Sequence, residues 1–355
     1  MVKNYALKWI KDMTPYSPPL GGRLNFSGDL LDFNERVTTP SKKVTTALIA
    51  FFRKGKIQRY PEYADLQEKI SKYAKVLANQ VMITNGSDHG IDVIFRTFVG
   101  KNDTIVIPAP TFPMFMQYAQ MIGCRVAKVP YEKIDFKFPA AEILQLLKNK
   151  NPKLIIICNP NNPTGSVISM KDIEVIVLKA PDSIFMIDEA YFEFSGISAT
   201  SLLKKFPNIV IVRTFSKAFG LASLRIGYVI ASEQHIEEMM KVRGPYAVNM
   251  AAHIAANAAL DDIEDMKMYV QEVMTKAKPL LETFFKKNSI PFYKSGANFI
   301  LFEPKNKQEV YEHFKKNDIL VRPQRAPEIQ DMLRVSIGTV KQMNRFIKVY
   351  SQLLG

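Results

Sequence analysis

Three apolar runs in the middle of this 355-residue chain end in residues that can do chemistry. Leu154–Cys158 runs into Asn159-Pro160-Asn161-Asn162-Pro163-Thr164-Gly165. Ile184–Ile187 runs into Asp188-Glu189-Ala190-Tyr191, and Ile209–Arg213 into Thr214-Phe215-Ser216-Lys217. If the runs are strands of an open α/β sheet, ligands collect beyond their carboxyl ends. An amide, a carboxylate, a phenol and an amine would then meet in one crevice. A lysine there can act as nucleophile and proton carrier once its surroundings lower its pKa from about 10.4. Singly, each signal is ordinary. Asn-Pro-Thr-Gly makes turns, an Asp after a strand caps helices, and Ser-Lys pairs usually lie on surfaces. Their joint occurrence, each after an apolar run, is what points to a site.

A fourth run, Val81–Thr84, leads into Asn85-Gly86-Ser87-Asp88-His89-Gly90 and then a helical pattern. Small residues at a helix N-terminus leave backbone N–H groups free for a phosphate. A plainly capped helix has the same appearance. The segment has neither the Walker lysine pattern nor the spaced dinucleotide glycines.

The elements that must position these groups alternate in type. Strands are predicted at Val81–Thr84, Thr104–Ile107, Leu154–Cys158, Ile184–Ile187, Ile209–Arg213 and Ile226–Ile230, with amphipathic stretches such as Ile91–Phe98 and Ala140–Leu147 between them. That rhythm predicts an α/β fold with a mostly parallel sheet flanked by helices. After Asp261 a long charged helical pattern precedes apolar runs at Phe299–Phe302 and Leu333–Ile337, which reads as a smaller α/β unit. The expected division is an N-terminal segment over residues 1–40 that packs with the small domain, a large domain over 41–260 and a small C-terminal domain over 261–355.

Composition removes several function classes. Hydrophobic residues at 47% and charged residues at 23% describe an ordinary globular chain. No apolar run is long enough to span a bilayer, and the opening MVKNYALKWIKDMTPY carries charges inside its apolar stretch. A cytoplasmic protein with no membrane partner is expected. Two cysteines and four scattered histidines argue against a disulfide framework or a metal site. The net charge of +14 raises nucleic acid as a partner, but the lysines are dispersed and clusters such as Arg53-Lys54-Gly55-Lys56 are short. A lysine-rich surface that helps recruit anionic substrates is the expectation.

NPNNPTG, DEAY, TFSKAFGLASLRIGY and RVSIGT, in this order, resemble the motifs of fold-type I pyridoxal-phosphate (PLP) aminotransferases. With Arg59-Tyr60-Pro61-Glu62 and Pro15-Tyr16, the resemblance is closest to the histidinol-phosphate aminotransferase subfamily and spans nearly the whole chain. It implies that Lys217 carries pyridoxal 5'-phosphate as a Schiff base and then moves the substrate proton. It implies that Asp188 faces the pyridine nitrogen, that Tyr191 and Asn162 bond the ring oxygen, and that Phe112 stacks on the ring. Gly86, Ser87, Asp88, Ser216 and Arg225 would meet the phosphate, although Asp88 suits a helix start as well. Tyr60 would reach the cofactor of a second subunit, which implies a homodimer.

On the substrate side the resemblance implies Tyr16, Asn34, Arg322 and Arg334, with the arginines taking the anionic end. The family's Asn-Glu-Asn-Pro is replaced here by Asn34-Glu35-Arg36-Val37, and its frequent Glu by His89. An altered substrate entrance is therefore expected. The implied reaction is transfer of an amino group from an amine or amino acid to a 2-oxo acid, with histidinol phosphate and 2-oxoglutarate as the first pair. Threonine-phosphate decarboxylases share the constellation, and aromatic or aspartate-type donors are further variants. A regulator with an aminotransferase-like domain would need a DNA-binding domain ahead of the family's opening, for which residues 1–20 leave little room.

Overall fold

A computed structural model describes residues 5–132 and 134–354. Along the chain the strands are β1 (Asp29–Leu30), β2 (Val81–Thr84), β3 (Thr104–Ala109), β4 (Arg125–Pro130), β5 (Leu154–Cys158), β6 (Ile184–Asp188), β7 (Ile209–Thr214) and β8 (Gly227–Ile230). They continue with β9 (Phe299–Phe302), β10 (Ile319–Leu320), β11 (Arg322–Pro323) and β12 (Leu333–Ser336). The main sheet has the order β2-β8-β7-β6-β5-β3-β4. Only β8 runs against its neighbours.

β5 is apolar throughout, and β6 and β7 are apolar up to Ile187 and Val212, because both faces of the sheet are covered. Ile155, Ile157, Phe185, Ile187, Ile209 and Ile211 pack into one core. The intervening Leu154, Ile156, Met186, Val210 and Val212 pack into a second core on the other face. The helix Gly86–Phe98 covers that second face through Ile91, Val93, Ile94 and Phe95. β4 was not among the expected strands. It is an edge strand, largely exposed, and Arg-Val-Ala-Lys-Val-Pro lacks the apolar signature of its neighbours.

A second, antiparallel sheet has the order β11-β12-β9. Its core is aromatic: Phe302 stacks on Phe285 at 4.9 Å, and Phe314 on Phe346 at 4.3 Å. The segment before residue 40 is tied to this part of the chain by the parallel pairing of β1 with β10. Arg345 adds a bond to Asp29 at 2.6 Å. Further back, Trp9 sits elsewhere: its indole N–H donates to Met121 O at 3.2 Å, on the helix Pro113–Ile122.

Gly28 lets β1 approach β10. A Cβ there would lie 2.1 Å from the carbonyl oxygen of Asp318. Gly28→Ala should therefore cost about 1–3 kcal/mol of stability and raise hydrogen exchange across residues 29–36. Equal exchange in the two proteins would mean that the pairing does not hold this segment.

Candidate active site

The carboxyl ends of β5, β6 and β7 bring the expected groups together. Asp188 closes β6 and is buried at 4% exposure, and its carboxylate accepts the Ala190 N–H at 2.9 Å. Burial pushes its pKa up to about 7, against the lowering effect of that N–H. Lys217 follows β7, and its Nζ donates to the carbonyl of Phe33 at 2.9 Å. Burial first, and then the charge of Arg334, bring its pKa down to about 8; Glu35 and Asp88 oppose this, and Arg225 lowers it further. Arg225, expected to meet the phosphate, is thus the lesser of the two cations acting on the lysine. Both shifts favour the neutral form, because a buried charge loses its hydration.

Tyr191 is buried, with its ring edge-on to Phe299 at 5.1 Å. Its hydroxyl accepts N–H bonds from Asn34 at 3.0 Å and Asn162 at 3.3 Å. Asn162 Oδ1 accepts in turn from Arg334 Nη1. A guanidinium only donates, so the Asn162 amide is oriented without ambiguity. Arg334 also donates to Asp32 O at 2.8 Å.

Gly86, Ser87 and Arg225 build an anion cradle. The helix Gly86–Phe98 has no side-chain cap from Asn85, so its first N–H groups are open to a ligand. Gly86 has φ +76°, and a Cβ there would lie 2.5 Å from Arg225 Nη2. A Cβ on Gly227 would lie 2.8 Å from Ser87 N. Asp88 pairs with Arg225 at 3.0 Å, which orients the guanidinium. Ser216 Oγ lies 2.9 Å from Thr214 Oγ1. His89 Nδ1 accepts the N–H of Asn85, the residue before the helix, at 3.2 Å.

The remaining expected residues are placed less uniformly. Phe112 is half-buried after β3, edge-on to Phe115 at 5.7 Å. Arg322 lies opposite Arg334 in the β11–β12 pairing. Tyr16 is 39% exposed and close enough to Arg334 to favour its charge. Tyr60 stands apart: it is 74% exposed and stacks on Tyr246 at 4.1 Å, outside the cluster of its own chain. Asn34, expected to line the substrate side, bonds Tyr191 and Ser336 through its amide. Arg36, the departure expected to alter the entrance, bonds Asp265 at 2.8 Å and Ala218 O at 3.3 Å. Its buried side chain packs against the turn after Lys217. Phe33, Ser336 and Gly227 were not anticipated. A carbonyl acceptor leaves no trace in residue type, and the other two acquire meaning only from what lies opposite them.

The chain matches the aminotransferase class I and II family over residues 24–349. It belongs to that family. It is 32% identical over 372 residues to a histidinol-phosphate aminotransferase of Methanocaldococcus jannaschii, covering 100% of this chain and 99% of that one. It is 35% identical over 320 residues to a dihydroxyacetone phosphate transaminase of Campylobacter jejuni, covering 88% and 87%. In fold it resembles the histidinol-phosphate aminotransferase of Sinorhizobium meliloti solved with pyridoxal 5'-phosphate, with TM-score 0.88, 21% identity and coverage of 99% and 98%. The chain is thus an α/β aminotransferase of fold type I, a pyridoxal-phosphate-dependent class. Its residues suit that cofactor: an open anion cradle, a buried amine, a buried carboxylate, and a phenol whose acceptor positions are already filled.

The depressed Lys217 pKa gives a measurable signature. In the cofactor-free protein, formaldehyde–borohydride labelling read by peptide mass should modify Lys217 with a midpoint near pH 8. Surface lysines should keep a midpoint of about 10.4. A Lys217 midpoint in the surface range would remove burial as the source of its reactivity.

Proposed function

We propose that this aminotransferase acts on a phosphate-bearing substrate, with histidinol phosphate and 2-oxoglutarate as the leading pair. The observation that carries this reading is the pair Arg322 and Arg334. They face each other on adjacent strands, where like charges repel. Among the described residues neither is in an ion pair, whereas nearby Arg23 is neutralised by Asp32 and Glu35. Arg322 Nη1 and Arg334 Nε are buried without a hydrogen-bond partner. Burial and Arg322 together lower the pKa of Arg334 to about 10. Two unneutralised forks side by side suit a dianion. Both relatives named above act, by their names, on phosphate esters.

Bound pyridoxal phosphate supplies an electron-accepting ring conjugated to the substrate nitrogen. Lys217 would hold the cofactor and would take the proton from the substrate's Cα and deliver it to the cofactor's C4′ carbon. An amine with pKa about 8 is well placed to both accept and release a proton near neutral pH. Asp188 holds a proton on the ring nitrogen, and that cation would in turn keep Asp188 ionised. Tyr191 and Asn162 would address the ring oxygen, and Phe112 would cover a ring face. Gly86, Ser87, Ser216 and Arg225 hold the cofactor phosphate, with Asp88 orienting Arg225. A second copy of the chain supplies Tyr60, whose exposed position is suited to reaching a neighbour's cradle. Tyr16 borders the substrate anion beside Arg334.

The 35% identity to the dihydroxyacetone phosphate enzyme supports a second reading, with a three-carbon phosphate as substrate. Absorbance titration of the cofactor-loaded protein, without 2-oxo acid, separates the two. Conversion to the pyridoxamine form by histidinol phosphate supports the leading pair. Conversion only by a three-carbon amino phosphate supports the second. Conversion by glutamate alone, or carbon dioxide release from threonine phosphate, refutes both.

Arg322→Ala should raise KM for the phosphate-bearing substrate about 10- to 100-fold, the loss of one or two charged hydrogen bonds. The cofactor absorbance should be unchanged. An unaltered KM would move the anion site away from β11 and β12.

A further inference from the structure

We infer that Asn34 is a positioning residue that makes the hydroxyl of Tyr191 a hydrogen-bond donor toward the cofactor's ring oxygen. A phenol oxygen has one proton to give and two positions at which to accept. At Tyr191 both acceptor positions are taken, by the amides of Asn34 and Asn162. The proton has one remaining direction, away from both amides. The ring is fixed by its edge contact with Phe299, so the O–H rotor is the only freedom left to set.

Asn34 is itself held in one orientation. Its backbone N–H donates to Ser336 Oγ at 2.9 Å, and that hydroxyl donates back to Asn34 Oδ1 at 3.2 Å. The amide nitrogen is thereby turned to Tyr191. Asn298 bonds the Asn34 carbonyl at 3.1 Å. Asn34 adopts a left-handed backbone, φ 56°, which asparagine tolerates better than most residues. The preceding residue presents its carbonyl to Lys217, so one turn orients both the amine and the phenol.

Ser336 and Arg334 are two apart on β12 and share a face. One orients Asn34 and the other Asn162, so a single strand sets both amides on Tyr191. The charged and titratable groups around Tyr191 are Lys217, 5.7 Å from its ring, Arg334, Cys158 and Asp188. None of them forms a hydrogen bond with the Tyr191 hydroxyl among the described residues.

Asn34's role presupposes the cofactor placement proposed above. The test is a pH titration of the visible absorbance of the cofactor-loaded protein. A hydrogen bond donated by Tyr191 favours the anionic ring oxygen and the deprotonated lysine–cofactor linkage, so its loss raises the midpoint. Asn34→Asp keeps shape and backbone but offers a carboxylate that draws the Tyr191 proton to itself. Its midpoint should rise by about one pH unit, the tenfold effect of one hydrogen bond to a charged group. Ser336→Ala, which adds no charge, should raise it by a smaller amount. In a Tyr191→Phe background Ser336→Ala should add nothing. Unchanged midpoints in both single variants, or an equal Ser336→Ala shift without the Tyr191 hydroxyl, would overturn the role. Absence of any visible band in the parent protein would instead refute the cofactor placement.

Discussion

Asn34, Tyr191, Arg334 and Ser336 are buried where they meet Asn162, so their polar atoms rely largely on protein partners. A buried polar group without a partner costs on the order of 1–3 kcal/mol, which makes this junction a strong constraint on geometry. The five residues come from the N-terminal segment, the ends of β5 and β6, and β12. Their bonds are satisfied only when all four segments are in register. The segment around residue 34, poor in regular structure, gains its order from this requirement. The β1–β10 pairing and the Arg23 bonds to Asp32 and Glu35 extend it.

Of seven non-glycine residues with positive φ among the described residues, two serve the site. Asn34 and Arg225 both have left-handed φ, near 56° and 55°. Such residues cost of order 1–3 kcal/mol each and persist where the surroundings over-determine them. At Asn34 the return is an amide aimed at Tyr191 and a carbonyl aimed at Lys217. At Arg225 it is a guanidinium folded over Gly86, held by Asp88. Glycine at 86 and 227 leaves the room that this arrangement needs.

The electrostatics follow from burial more than from pairing. Lys217 and Asp188 are each driven toward neutrality by desolvation, the amine to about 8 and the carboxyl to about 7. A site so poised gains when a ligand supplies opposite charge, because the desolvation is then compensated. The guanidiniums of Arg322 and Arg334 have the same character, each with a buried donor that has no hydrogen-bond partner. Arg36 shows the contrast. Its charge is spent within the protein on Asp265, and it serves the fold around the lysine turn.

Much of this was legible in the chain itself. Strands buried on both faces must be apolar throughout, so β5, β6 and β7 announced themselves, and the polar residues at their ends marked the site. Lys217, Asp188, Tyr191 and Asn162 were singled out because they occur together, each after an apolar run, and the fold brings them close to one another. The direction of β8 was not legible, because an apolar run reads alike either way. β4 was missed because an exposed edge needs no apolar pattern. Local sequence thus determined which residues are buried and which chemistry they carry. Only the tertiary structure decided that Phe33 offers its carbonyl to Lys217, that Asn34 turns to Tyr191 and that Ser336 holds it there. Those contacts join residues up to 302 positions apart, and a hydrogen bond depends on what lies across from a group, which no local pattern encodes.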